Sequence, residues 1–558
     1  MDIQRVLILL GLAVTSYMLI LAWNEDYGSN GSQLPDTREQ EEVISAPAPD
    51  LIPDTPAENA ATADMVPSLE EETVEIQKAV VTPARTVKVS TDVLDIRIDL
   101  AGGDVVRVAL PAYPASLETP EIPFLLVDPR NGYVAQSGLI GPNGTDKTGA
   151  RPVFSSPVDS YELGDMDELK VTLDYRQADG TWILKHFIFN RGSYLVSVEY
   201  EVSNAGTEAW RGALFAQIKR DGQPPFSTTE NLMGMAPYVG GATRSGDELY
   251  RKLEFEDLAE ESYRLAREDG YVAMVQHYFV SAWVPERGVN NNYQARKLKG
   301  RDVYLFGFTS PAVAIPPGET GSLSARYYVG PKDQYRMAEI AEGLELTVDY
   351  GFLWWLAQPL FYLLTVMHDV VGNWGIAIIL LTVIVKMLLY PLSAASFRSM
   401  AKMRKLQPEM VKLKERYGDD RQQFSQAMMD LYKKEGANPL GGCLPLLLQM
   451  PVFLALYWTL MESVELRQAP FIFWIHDLSA MDPYFVLPIL MGISMYLTQM
   501  LQPEPPDPVQ AKVFKMMPII FTFFFLWFPS GLVLYWLVNN ILSILQQSYV
   551  MRQVEKGG

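Results

Sequence analysis

A single cysteine, Cys443, stands in 558 residues, so no disulfide forms within the chain and any exported domain must rely on its core. Four histidines leave little material for acid–base catalysis. No Asp or Glu interrupts the apolar runs of the last third, so a cation inside one of them finds no local carboxylate. No internal repeat relates the two halves of that third, which counts against a secondary transporter built on broken, inverted helices. Bases are nearly missing from Asn24 to Ala79, where Arg38 and Lys78 are the only two.

The net charge of -20 describes no part of the chain well, because the acid lies in the first 350 residues and the last third is apolar with basic loops. Val6 to Trp23 is an uncharged run of spanning length that follows Arg5 and lacks a small-residue cleavage site. Residues 1–23 therefore read as an uncleaved signal anchor with its N-terminus in the cytoplasm. Residues 24–79, rich in Glu, Asp, Pro, Ala and Ser, cannot bury enough apolar surface to offset chain entropy and read as a disordered tether.

From residue 80 the pattern has period two. Leu94, Ile96, Ile98 and Leu100 alternate with charged residues before the Ala101-Gly102-Gly103 turn, and Tyr194 to Val202 alternates likewise. Residues 80–340 are expected to form an exported all-β sandwich. A sugar-processing site there would need paired acids or a histidine with a carboxylate, yet His186 and His277 sit in no motif of recognisable spacing. We expect no enzyme.

The helical third opens with residues 349–371, where Pro359 and the His368-Asp369 pair leave an apolar stretch too short to span and Trp354, Trp355, Phe361 and Tyr362 favour the headgroup level. This is an interfacial amphipathic helix. Residues 372–551 form a five-helix core with spans near Asn373–Leu392, Cys443–Met461, Tyr484–Leu501, Val513–Phe528 and Gly531–Met551, six with the anchor. The loop 393–440 carries ten Lys and Arg against six acids and belongs in the cytoplasm, as do both termini and the short tail 552–558. Met403, Leu406, Met410, Leu413 and Tyr417 follow helical spacing, Gly418-Asp419-Asp420 turns, and Phe424, Met428 and Leu431 resume the stripe, which predicts a helical hairpin. Its cations Arg398, Lys402, Arg404 and Lys405 suit anionic lipid or ribosomal RNA, or a solvated face. Met400, Met428 and Met429 fill the seam or offer an adaptable surface.

Lys386 is the unusual residue. It lies roughly 18 Å along the helix from Trp374 and roughly 7 Å from Pro391, where a lysine can snorkel to the inner headgroups. Thr382, Tyr390 and Ser393 share its face, however, and Trp536, Asn540, Ser543 and Gln547 share one on the last span, with Gln449, Ser494, Thr498 and Thr522 elsewhere. Polar stripes at such depth face protein or water. Interhelical glue is one reading; a wet cavity open to the cytoplasm is the one we favour.

NPLGGCLPLLLQMPVFLALYWTLMESVELRQAPFIFWIHDLSAMDPYFVLPILMG (Asn438 to Gly492) and FFLWFPSGLVLYWLVNN (Phe524 to Asn540) closely resemble the YidC insertase family of two-membrane bacteria, as do VKVSTDVLDIRIDLAGGDV and MAKMRKLQPEM. The resemblance covers all but the acidic tether. It implies an inner-membrane insertase and chaperone that acts alone or beside the Sec translocon, without a cofactor. Its partners would be nascent inner-membrane proteins, Sec components, membrane lipid and the ribosome, although a tail of RQVEKGG argues against strong ribosome docking. It further implies a hydrophilic groove in which Lys386 takes the place of the family's usual arginine, lined by Thr382, Gln449, Asn540 and Ser543. The same resemblance assigns contact with a client helix to Met450, Phe453, Leu534 and Trp536, the last standing where many relatives have tyrosine. Lysine keeps the charge and loses the forked donor geometry.

Overall fold

The computed structural model describes residues 86–146, 151–225, 237–245, 248–417, 420–435, 444–502 and 508–556. The expected anchor 1–23, the tether 24–79, Cys443 and the Gly418-Asp419 part of the hairpin turn lie outside them. Strands fill the chain from Thr86 to Pro331, in one sheet of eleven and one of eight. The period-two stretches become strands because alternate side chains reach the interior: Ile96 and Ile98, then Val196, Val198, Tyr200 and Val202, are at most 1% exposed. Positive φ at Gly102 (84°) and Gly103 (63°) makes the tight return that only glycine takes without strain. Two short helices, α1 (Phe255–Glu260) and α2 (Gln334–Ile340), complete this part.

The sandwich core holds a charged cluster that alternation hides. Arg151 lies between Asp104 and Asp146, with Nη1 3.0 Å from Asp146 Oδ1. Beside it Lys185, 0% exposed, donates to the carbonyls of Gly102 (3.0 Å), Gly103 (2.8 Å) and Ser137 (3.2 Å). Two cations face two carboxylates, and all three ammonium donors are bonded, which is what a buried charge requires.

Among the described residues eight α-helices follow: α3 (Trp354–Val371), α4 (Trp374–Leu388), α5 (Tyr390–Tyr417), α6 (Arg421–Lys434), α7 (Leu444–Glu462), α8 (Val486–Met500), α9 (Pro508–Phe524) and α10 (Ser530–Lys556). The long α10 packs against α4, α5, α7 and α8, while α3 lies on α4 and α7. Gly492 permits close packing of α8 on α9, since a Cβ there would collide with Thr522 Oγ1. On α3, Ala357, Leu360, Phe361 and Leu364 turn inward and Trp354, Trp355 and Tyr362 outward. Phe361 is thus a core residue and not one of the outward aromatics expected of this helix.

The expected span from Asn373 to Leu392 is not one helix. It breaks at Leu389, and α4 and α5 meet at a 67° bend. Pro391 supplies the cause: it has no amide to continue the hydrogen-bond ladder of α4 and its ring would crowd the Met387 carbonyl one turn back. The stripe Thr382, Lys386, Tyr390, Ser393 is therefore split between two helices, and the first helix of the expected hairpin begins at Tyr390 rather than Ser393. Among the described residues no single helix is long and apolar enough to cross a membrane alone; α4 and α5 meet that test only as a bent pair.

Candidate functional site

Lys386 lies in the last turn of α4, whose start is fixed by Asn373 accepting the Ile376 amide at 3.0 Å. Its ammonium does not reach for a carboxylate: among the described residues no acid forms an ion pair with it. Instead Nζ donates to Ser543 Oγ at 2.7 Å, and that hydroxyl donates to the Asn539 carbonyl at 2.7 Å. The structure thus joins Lys386 and Ser543 across α4 and α10.

The other expected groove residues are less open. Thr382 is 1% exposed and its hydroxyl donates to Ile378 O at 2.6 Å, within its own helix. Asn540 is buried and donates to Ser494 Oγ at 3.0 Å, and Ser494 donates on to Met491 O. Gln449 is half-buried beside the Tyr535 hydroxyl. Asn539 Oδ1, Gln547 Oε1 and Trp536 Nε1 are buried without a hydrogen-bond partner. Such atoms need a ligand or water to offset their burial. Asn539 was not among the expected residues, although its polarity in a core helix is a signal.

Of the expected client-helix contacts, Met450 is exposed, and Phe453 meets Trp536 edge-to-face at 4.6 Å. Phe525 adds a third ring at 5.5 Å from Trp536. Leu534 is turned into the core at 4% exposure and offers nothing to an outer wall.

On the hairpin, Arg398, Lys402, Arg404 and Lys405 are all exposed. The opposite face of α5 buries Phe397, Met400, Met403 and Met410 with Tyr432 and with Val550 of α10, so Met400 belongs to the seam while Met429 stays exposed. Asp420 caps α6 by accepting the amides of Gln422 and Gln423.

Sequence patterns did not reveal the junction between sandwich and helices. Lys332, 3% exposed, donates to Glu462 Oε2 (2.5 Å) and to the Thr347 carbonyl (3.2 Å). Arg467, the lone base of its loop, donates to Pro114 O at 2.6 Å and lies over the rings of Phe124 and Phe279. His277 Nε2 donates to Met461 O at 2.8 Å, and burial, aided by the Lys332 charge, pushes its pKa down to about 3. Burial pushes Glu465 up to about 7. Burial also raises Glu462, against the pull of Lys332. His186 Nδ1 lies 2.9 Å from Thr172 Oγ1, while its Nε2 is buried without a hydrogen bond, 3.7 Å from Glu201 Oε2.

Residues 86–363 match the family described as YidC periplasmic domain, and residues 366–557 that described as 60Kd inner membrane protein. The class is accordingly an inner membrane protein in which a β-rich periplasmic domain precedes a helical C-terminal region. Two curated relatives, each named membrane protein insertase YidC, come from Stutzerimonas stutzeri and Ectopseudomonas mendocina; each is 50% identical over 100% of this chain and 99% of its own. The chain belongs to the YidC family of membrane protein insertases. A crystal structure of an active YidC insertase with its first transmembrane domain resolved matches 83% of this chain and 93% of its own, at 20% identity and a TM-score of 0.38.

Proposed function

We propose that this chain inserts client proteins into the inner membrane through a hydrophilic groove open to the cytoplasm and to lipid, and that it also assists their folding, alone or beside the Sec translocon. The anchor and the five core helices make six spans, both termini are cytoplasmic, and α3 lies at the periplasmic interface. The observation that carries the reading is the Lys386 ammonium, bonded to one hydroxyl and paired with no described carboxylate. Unpartnered Asn539 Oδ1 and Gln547 Oε1 on α10 support it. A translocating polar segment crossing hydrocarbon loses several kcal/mol for each unsatisfied group, and a positive, hydrogen-bonding lining part-way across lowers that barrier. Lys386 attracts an acidic client segment while the client's apolar helix slides past Met450, Phe453 and Trp536 into lipid. The exposed hairpin cations meet anionic lipid or the ribosome. No covalent bond is made or broken and no cofactor is needed.

Thr382 and Asn540, whose hydrogen bonds are internal, favour the competing reading of a dry seam. Single cysteines at Asn539, Asn540 and Ser543, in a Cys443→Ser background, separate the two, since a thiol must meet water to ionise. On the groove reading all three react with an impermeant thiol reagent applied from the cytoplasmic side, and one at Ile378, 2% exposed in the core, does not. Uniform inertness would leave the seam as the answer.

A further inference from the structure

Ser543 was expected to line the groove and meet the client. We infer that it instead acts through Lys386, as the positioning residue that keeps a lysine, in place of an arginine, inside the protein.

The directions of its two hydrogen bonds decide this. A serine hydroxyl has one proton. In Ser543 that proton points to the Asn539 carbonyl one turn back on α10, at 2.7 Å. What remains to offer is acceptor lone pairs, and one receives the Lys386 ammonium, also at 2.7 Å. An acceptor cannot bind a client carboxylate or carbonyl. It can hold a cation.

The cation needs holding. Met387 and Leu388, which follow Lys386, are 64% and 78% exposed, and the 67° bend lies just beyond them. A lysine at such a place has a short route to the cytoplasmic headgroups along its flexible stem. The bond to Ser543 competes with that route and turns the ammonium toward α10, leaving two of its three N–H donors for an incoming acidic segment. Arginine would need the anchor less, because a rigid fork with five donors engages several acceptors at once.

This inference rests on the groove reading above, and one set of full-length variants tests both. The readout is insertion, in proteoliposomes, of a single-span client whose translocated segment carries one aspartate, with protein amounts equalised by immunoblot. Ser543→Ala should slow insertion by about threefold to tenfold, the range of one ordinary intramolecular hydrogen bond, since water can take over part of the ammonium's bonding. Ser543→Thr, which keeps the hydroxyl, should restore it. Ser543→Ala added to Lys386→Arg should cost less than about twofold, because arginine does not depend on the anchor. An equal loss in the lysine and arginine backgrounds would make Ser543 a client contact and overturn the inference. So would full activity of Ser543→Ala in both. Should Lys386→Ala itself insert normally, the groove reading fails first, and the two failures are distinguishable because only Lys386→Ala removes the cation.

Discussion

Lys185 and Lys386 are both lysines lodged among apolar neighbours, and they differ in how many of their donors are already taken. In the sandwich, three backbone carbonyls receive the Lys185 ammonium, and Asp104, Asp146 and Arg151 balance the charge around it. In the helices, one serine receives Lys386. A saturated buried cation pins chains together and has nothing left to bind with; an unsaturated one keeps both charge and donors available. Lys332 stands between them, bonded to Glu462 and to one carbonyl, and its work is to fasten the sandwich to α7.

The contrast breaks most sharply at Lys185. Lys185→Met takes one donor from each of three carbonyls, of which Gly102 and Ser137 keep the Arg151 guanidinium, and leaves Arg151 alone with two carboxylates, so thermal unfolding of the purified protein should show the sandwich destabilised by about 3–5 kcal/mol. A variant as stable as the parent would mean the cluster is not the pin described. Lys332→Ala should come next, at about 2–3 kcal/mol, because Glu462 is left buried without its cation; limited proteolysis between Pro331 and Trp354 should report the loosening. For Lys386 the pattern reverses. Lys386→Ala should leave the unfolding free energy within about 1 kcal/mol of the parent while insertion of acidic clients falls about tenfold, and Lys386→Arg should preserve insertion. Comparable losses of stability at Lys185 and Lys386 would erase the distinction.

The smallest effect concerns Glu465 and sharpens the view of the junction. Its folded pKa of about 7 lies above the ordinary carboxylate value, so the folded state holds an extra proton between the two. Stability is therefore lost as pH rises through that window. Glu465→Gln removes the loss: at pH 8 the variant should be the more stable by about 1 kcal/mol after allowing for solvent screening, and the two proteins should converge near pH 4. His277 works in the opposite sense on acidification and is common to both proteins, so the difference isolates Glu465.

Local pattern was legible in the sequence where one face of an element is apolar. Leu94 to Leu100 and Val196 to Val202 announce strands by alternation, and Asp420 announces a helix start by its capping side chain. Pairing across the chain was not legible. Asp104 and Lys185 sit 81 positions apart, and charged residues in strands ordinarily read as a solvent face, so nothing local marks them as a buried cluster. The break at Leu389 did have a signal in Pro391, outweighed by the continuous apolar run around it. Lys386 was identifiable as a misfit, yet its partner was not, because helical spacing places Ser543 on a face without saying which helix that face meets. Arg467 was visible as the one base in an acidic loop, and only the fold shows that it reaches the Pro114 carbonyl.

The break at Leu389 also has a dimension measured against the bilayer. With α4 ended there, it is 15 residues long, as is α8. Fifteen residues rise about 22 Å, roughly 8 Å less than a hydrocarbon core of about 30 Å. Lipid bordering such helices must compress or tilt its chains to keep apolar surface covered, at a fraction of a kcal/mol per Å. On the spanning arrangement proposed above, helices this short would leave the oil layer thinnest beside the proposed groove, and a departing segment would cross less of it before reaching water on the far side.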